Sequence, residues 1–150
     1  MQEWNEIDTA ADIEKLGSLH DSVIVSVEYH SGCAGNRSGL TCWTEKDQHT
    51  ASVIIDHSWT GRIELLFTGV RCCVISGFTE NYTKEIYGCS LFFRTDLLGK
   101  TRDDRLIVWT DGGDISLENL CTNLNGNGQT VIIAERLKWR YIEKFDECRG

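Results

Sequence analysis

Val23, Val25, Val27 and Tyr29 alternate with Ile24, Ser26 and Glu28. A period of two puts successive side chains on opposite faces of a strand, and the β-branched content suits a pleated, half-buried surface. Short runs of the same kind return at about 40–45, 51–56, 62–67, 70–76, 86–94, 104–110, 114–119 and 130–142. Between them, HSGCAGNRSG at 30–39 predicts a long glycine-bearing loop, TDGGD at 110–114 a tight hairpin, and NGNG at 125–128 a turn through positive φ. Many short strands without a βαβ rhythm predict a mainly β fold, an antiparallel sandwich or barrel-like sheet. In the last run Val131, Ile133, Leu137, Trp139 and Tyr141 share one face, and they are expected to line the core with Phe67, Phe92 and Val108.

One short N-terminal helix is expected at about 9–16. Thr9 and Asp12 have the spacing of a capping box, Ile13 and Leu16 share a face, and Gly17 supplies a stop. Two turns of helix need a larger surface to pack on. A chain of 150 residues is one domain, 1–150, with its β body at about 22–142. At that length roughly two-thirds of the unfolded chain's surface can be buried, so no cross-link is required. Proline is absent, so strand edges must be protected by charge, bulges or coverage.

The formal charge of −8 counts against nucleic-acid partners, whose phosphates need clustered Lys and Arg. The densest basic run, Arg136, Lys138 and Arg140, alternates with Leu137, Trp139 and Tyr141, which reads as the solvated face of a core strand. The acidity is uneven. Residues 1–30 hold seven acids and one base, Lys15, while the other 120 hold sixteen acids and fourteen bases. Asp8, Asp12 and Glu14 therefore mark an acidic docking region on and beside the helix.

The seven cysteines, at 33, 42, 72, 73, 89, 121 and 148, lack the close-set C-x₂-C pairs of a zinc site. MQEWNEIDTA does not read as a signal peptide, and apolar runs such as LIVW at 106–109 are too short to span a bilayer. The expectation is a cytoplasmic protein with reduced thiols, no membrane association and chance glycosylation sequons at 36–38 and 81–83.

Few residues combine into a chemical motif, and no metal or cofactor is expected. Gly99-Lys100-Thr101 ends like a phosphate-binding loop, but Arg94 stands where the first glycine belongs. Gly126-Asn127-Gly128 precedes a strand instead of a helix, and Asp111-Gly112-Gly113-Asp114 lacks the ligand spacing of a calcium loop. His20-Asp21 lies at the helix-to-strand junction, where a carboxylate can fix an imidazole for metal binding or acid–base work, with Asp111 as a third group if the fold brings it near. The competing reading has both residues bonding to backbone groups and fixing the corner. Cys33, between Gly32 and Gly35 and three residues after His30, is a candidate reactive thiol against the plainer reading of a passive loop cysteine.

Four segments, DIEKLGSLHDSVIVSVEY, IELLFTGV at 63–70, LIVWTDG at 106–112 and AERLKWR at 134–140, together resemble an uncharacterised family of small bacterial cytosolic proteins with no established activity. The resemblance implies a mainly β domain with an N-terminal helix. It also picks out His20, Asp21 and Ser22, Trp109 and Asp111, and Leu137 to Arg140. With no complete catalytic constellation, the sequence is read as a non-enzymatic binding module, in the manner of an immunity or inhibitor protein, whose acidic helix meets a basic protein partner. Two alternatives stay open. One is a structural subunit of a homo-oligomer, resting on strand edges and five tryptophans, and the other is a metal-dependent hydrolase using His20 and Asp21.

Overall fold

The computed structural model of the chain describes residues 2–35, 38–39, 41–42, 45, 48–57, 60–75, 85–86, 88–97, 105–112 and 130–144. Along the chain these form β1 (Asn5–Glu6), α1 (Ala10–Leu16), β2 (Ser22–His30), β3 (Ala34–Gly35), β4 (Thr41–Cys42), β5 (Thr50–His57), β6 (Gly61–Val74), β7 (Glu85–Ile86), β8 (Ser90–Arg94), β9 (Leu106–Thr110) and β10 (Val131–Lys144). The fold is mainly β, and the described residues form one large antiparallel sheet, a separate two-stranded sheet and a single short helix. No helix among the described residues is long and apolar enough to cross a membrane.

The main sheet runs β7-β2-β5-β6-β10-β9-β8, with β1 added to β10, while β3, inside the stretch expected to be a loop, pairs with β4, inside the expected strand run at 40–45, as a separate two-stranded sheet. β7 and β8 stand at opposite ends of this order, yet only residues 87–89 lie between them. Seven flat strands would set the outer two about 29 Å apart at ~4.8 Å per step. Four Cα steps from Ile86 to Ser90 reach at most about 14 Å. The sheet must therefore curl until its ends approach, and the architecture is barrel-like.

The N-terminal segment straps this curl. β1 pairs with β10 at Asn5↔Trp139, beyond the residues 131–134 that β9 occupies on the same edge. Ile7 N then donates to Leu137 O at 3.0 Å, Arg105 Nη1 donates to Asp8 O at 3.1 Å, and Cys89 N donates to Ser18 O at 2.6 Å. The capping box forms as read, with Asp12 N bonded to Thr9 Oγ1 and the Asp12 carboxylate returning to Thr9 N. Leu16 and Leu19 are buried in the core, which supplies the larger surface that a seven-residue helix needs.

Two expectations about the strands change. The runs at 62–67 and 70–76 are one continuous strand, β6, and the run at 86–94 breaks into β7 and β8. The runs at 114–119 and the turns at Gly113–Asp114 and 125–128 lie outside the described residues. The second change concerns the core. On β6 the buried positions step from Ile63, Leu65 and Phe67 to Val70, and on β10 from Ile132 and Ala134 to Leu137 and Trp139. Both strands skip a beat at the same level. Gly69, with φ of 69°, turns the backbone there, and the register shift between Ile133 and Ala134 leaves Arg71 as an extra residue of β6. Val131 and Ile133 consequently face away from Leu137, Trp139 and Phe67, and with Val108 and Phe92 they build a second cluster on the other face. The predicted single face of β10 is thus two half-faces. β2 behaves likewise: a register shift between Ile24 and Ser26 turns Ile24 and Val27 to the core, while Val25 and Tyr29 are exposed.

At the barrel's centre Phe67 and Trp109 are fully buried, with ring centroids 6.2 Å apart. Burying a side chain of that class contributes about 1.5–3 kcal/mol. Gly61 shows how tightly β6 and β10 approach: its φ is 132°, and a Cβ there would lie 2.1 Å from Glu143 O. Gly61→Ala should therefore destabilise the fold by about 2 kcal/mol or more, from backbone strain and displacement of β10. Urea unfolding checks this, and a midpoint equal to the parent's would show that the strands can part freely.

Candidate functional site

The corner from α1 to β2 is made by left-handed backbone at Gly17 (φ 78°), Leu19 (φ 50°) and Asp21 (φ 59°). Asp tolerates this region through local hydrogen bonding, whereas Leu19 is held in it by burial of its side chain. Leucine and serine go in, and the residues between come out. Ser22 is fully buried, while His20 and Asp21 point outward and pair with each other, Nδ1 to Oδ2 at 2.8 Å. Side chains 62% and 50% exposed make a solvated pair of the surface class.

Asp111 sits differently. It is buried at the end of β9, its Oδ1 accepts from Thr130 N at 2.9 Å, and its own N donates to Thr130 O at 3.2 Å. These bonds clamp the end of β9 to the residue that leads into β10. The corner and Asp111 lie at one end of the sheet, since Ser18 O meets Cys89 N and Ser90 Oγ donates to Gly112 O at 2.8 Å. Their side chains have separate roles there. Among the described residues no three His, Cys, Asp or Glu side chains form a set that could hold a metal ion.

Cys33 is half-buried, with its N donating to Ser31 Oγ at 3.1 Å and its Sγ contacting Ser31 O at 3.7 Å. The His30 imidazole proposed to activate it is bonded instead to Glu28, Nε2 to Oε1 at 2.8 Å. Among the described cysteines Cys89 is the thiol most altered by its surroundings. Burial pushes it up to about 11, against the opposing pull of the Trp109 indole N–H, so it remains a thiol at neutral pH. Cys42 is exposed.

In the acidic arm, Asp12 is part of the helix cap. Its Oδ2 accepts from Thr9 Oγ1 at 2.8 Å, Thr9 N at 2.8 Å and Asp8 N at 3.0 Å. The Thr9 hydroxyl, followed by those two backbone N–H groups, holds its carboxyl below the usual carboxylate range. Asp8 and Glu14 are exposed, and the arm's one base, Lys15, donates to Asn5 Oδ1 at 2.9 Å. Across the sheet the basic run is engaged with its surroundings. Arg140 bonds Glu64 through Nε at 2.9 Å and Nη2 at 2.8 Å, and Lys138 and Arg140 lie 4.7 Å and 4.2 Å from the Trp4 ring.

The feature that sequence reading missed is a groove of about 390 Å³ between α1 and β8, lined by Ile13, Glu14, Gly17 and Ser18 on one side and residues 89–92 on the other. The sequence pattern puts Ile13 on one face with Leu16 and Glu14 in the acidic docking region. Only the angle at which α1 meets β8 puts both on one concave surface. Compared with models of known protein families, with curated proteins and with solved structures, the chain matches none.

Two tests separate architectural from exposed roles. Asp111→Ala should cost about 1–3 kcal/mol by leaving the buried Thr130 N–H without its carboxylate acceptor, whereas His20→Ala should stay within about 0.5 kcal/mol. Denaturant unfolding of both variants measures the difference. The Asp12 carboxyl, lowered in the folded state, contributes stability that is fully present above its unfolded pKa and lost as pH falls through its lower folded value. The stability gap between the parent and Asp12→Asn should accordingly be widest at neutral pH and shrink on acidification below about pH 4. A gap that grows with acid would reverse the assignment.

Proposed function

We propose that the protein is a non-enzymatic binding module that docks on a basic protein partner through its acidic N-terminal arm, in the manner of immunity and inhibitor proteins. The observation that carries this reading is the way the arm is fixed. β1 pairing on β10, the Ile7, Asp8 and Ser18 backbone bonds and the Thr9–Asp12 cap hold it against the barrel, and Asp8 and Glu14 remain exposed upon it. A rigidly presented surface of one sign raises encounter rates with an oppositely charged partner and loses little entropy on binding. Asp12 contributes its charge to that field while its oxygens serve the cap. Lys15, the base that would oppose it, is directed to Asn5.

The arm also supplies the partner with something besides charge. Leu16 and Ile13 anchor it from below, so the docking surface and the core are mechanically one piece. Capture from a lysate of the native host on the immobilised full chain should recover a basic protein at low salt and release it at about 0.5 M salt, where the screening length falls to a few ångströms. The double variant Asp8→Asn, Glu14→Gln should weaken capture without shifting the unfolding midpoint. Recovery that is indifferent to both salt and the double variant would refute acidic docking.

A further inference from the structure

We infer that the groove between α1 and β8 is the seat of one arginine or lysine side chain carried by that basic partner, a deepening that rests on the docking reading above. The walls are apolar where Ile13, Leu91 and Phe92 line the groove, and Glu14, an exposed residue, lines it as well. Gly17 and Ser18 complete that side, at the C-terminal end of α1, where the last helical carbonyls carry partial negative charge. An aliphatic stem ending in a cation matches this surface point for point, because Lys and Arg lay their methylenes on apolar surface while keeping the charged head near water and carboxylates.

Other occupants fit less well. A purely apolar side chain would shield the Glu14 carboxylate from water and return no hydrogen bond, and an acidic one would meet both Glu14 and the helix end as like charges. The volume of about 390 Å³ is at the small end of the range for small-molecule sites, about 300–1,000 Å³, and suits a single anchoring residue with its flanking backbone. The native chain itself sets a guanidinium on this strand: Arg105 lies 3.9 Å from the Phe93 ring. Among the described residues Arg94 is paired with Asp96, Arg105 is engaged with Phe93 and Asp8 O, and Lys15, beside Glu14 in the last turn of α1, donates to Asn5. Arginine is among the residue types enriched at the energetic centres of interfaces.

The probe is a blocked alanyl-arginyl-alanine tripeptide, titrated into the full isotope-labelled chain and followed by amide shifts, with the norleucyl analogue as its uncharged counterpart. Shifts should centre on Gly17, Ser18, Cys89 and Leu91, and Glu14→Gln should weaken binding by about fivefold, as for loss of one partly exposed charge pair. Glu28→Gln, which removes the same charge from β2, should leave the affinity unchanged. Equal or tighter binding of the norleucyl peptide would overturn the inference, as would the absence of shifts in the groove. Equal weakening by Glu14→Gln and Glu28→Gln would overturn the groove assignment alone, leaving acidic docking intact. Failure of salt-sensitive capture from lysate would remove the docking reading itself.

Discussion

The three residues between β7 and β8 govern the shape of the molecule. Strands at opposite ends of the order β7-β2-β5-β6-β10-β9-β8 are tied by a connection too short to span a flat sheet, so curvature is imposed by covalent length. Curvature then needs places where long strands can bend. β6 and β10, 14 residues each, supply them at Gly69 and at the register shifts beside Ala134 and Tyr141. The interior cluster around Phe67 and Trp109 and the outer cluster around Val108 and Ile133 are two consequences of the same bend.

Closing a sheet this way leaves a seam between its end strands, β7 and β8, and the N-terminal arm is bonded to Cys89 between them. The arm reaches β10, Arg105 and Cys89 in turn and then enters β2, bonded through its own backbone to the backbone of β10 and Cys89 and to the Arg105 guanidinium. This explains how a seven-residue helix, too short to persist alone, is held in one orientation. It also explains why acidity is concentrated here. A strap lying outside the barrel has few buried positions to fill, so Asp8 and Glu14 can stay hydrated while Ile7, Leu16 and Leu19 bind the core. Structural attachment and the proposed recognition surface are opposite faces of one segment.

The candidate residues divide along the same line. Asp111 faces inward and is used as a backbone clamp, whereas His20 and Asp21 face outward because Leu19 and Ser22 take the inward positions on either side. A dipeptide that looks chemical in sequence gains its placement from neighbours whose burial leaves it no other direction. The groove beside α1 arises from the opposite situation: Glu14 and Leu91 are ordinary residues of a helix and a strand, and they acquire a shared surface from the packing of one element on the other.

Much was legible in the sequence because it depends on neighbours a few residues apart. The period of two from Ser22 onward, the Thr9–Asp12 cap and the concentration of acids before residue 30 are local facts, and strand character, the helix start and the acidic arm follow from them. What the sequence could not determine is where the period breaks. Val131 and Ile133 continue the alternation toward Tyr141 on paper, yet the skip at Gly69 and residues 135–136 occurs in two strands about 65 residues apart and is set by how β6 and β10 coil together. Strand order, the curl imposed through residues 87–89, and the meeting of Ile13 and Glu14 with β8 belong to the tertiary structure for the same reason. Each depends on contacts between distant segments, and a local pattern carries no record of the partner against which it will pack.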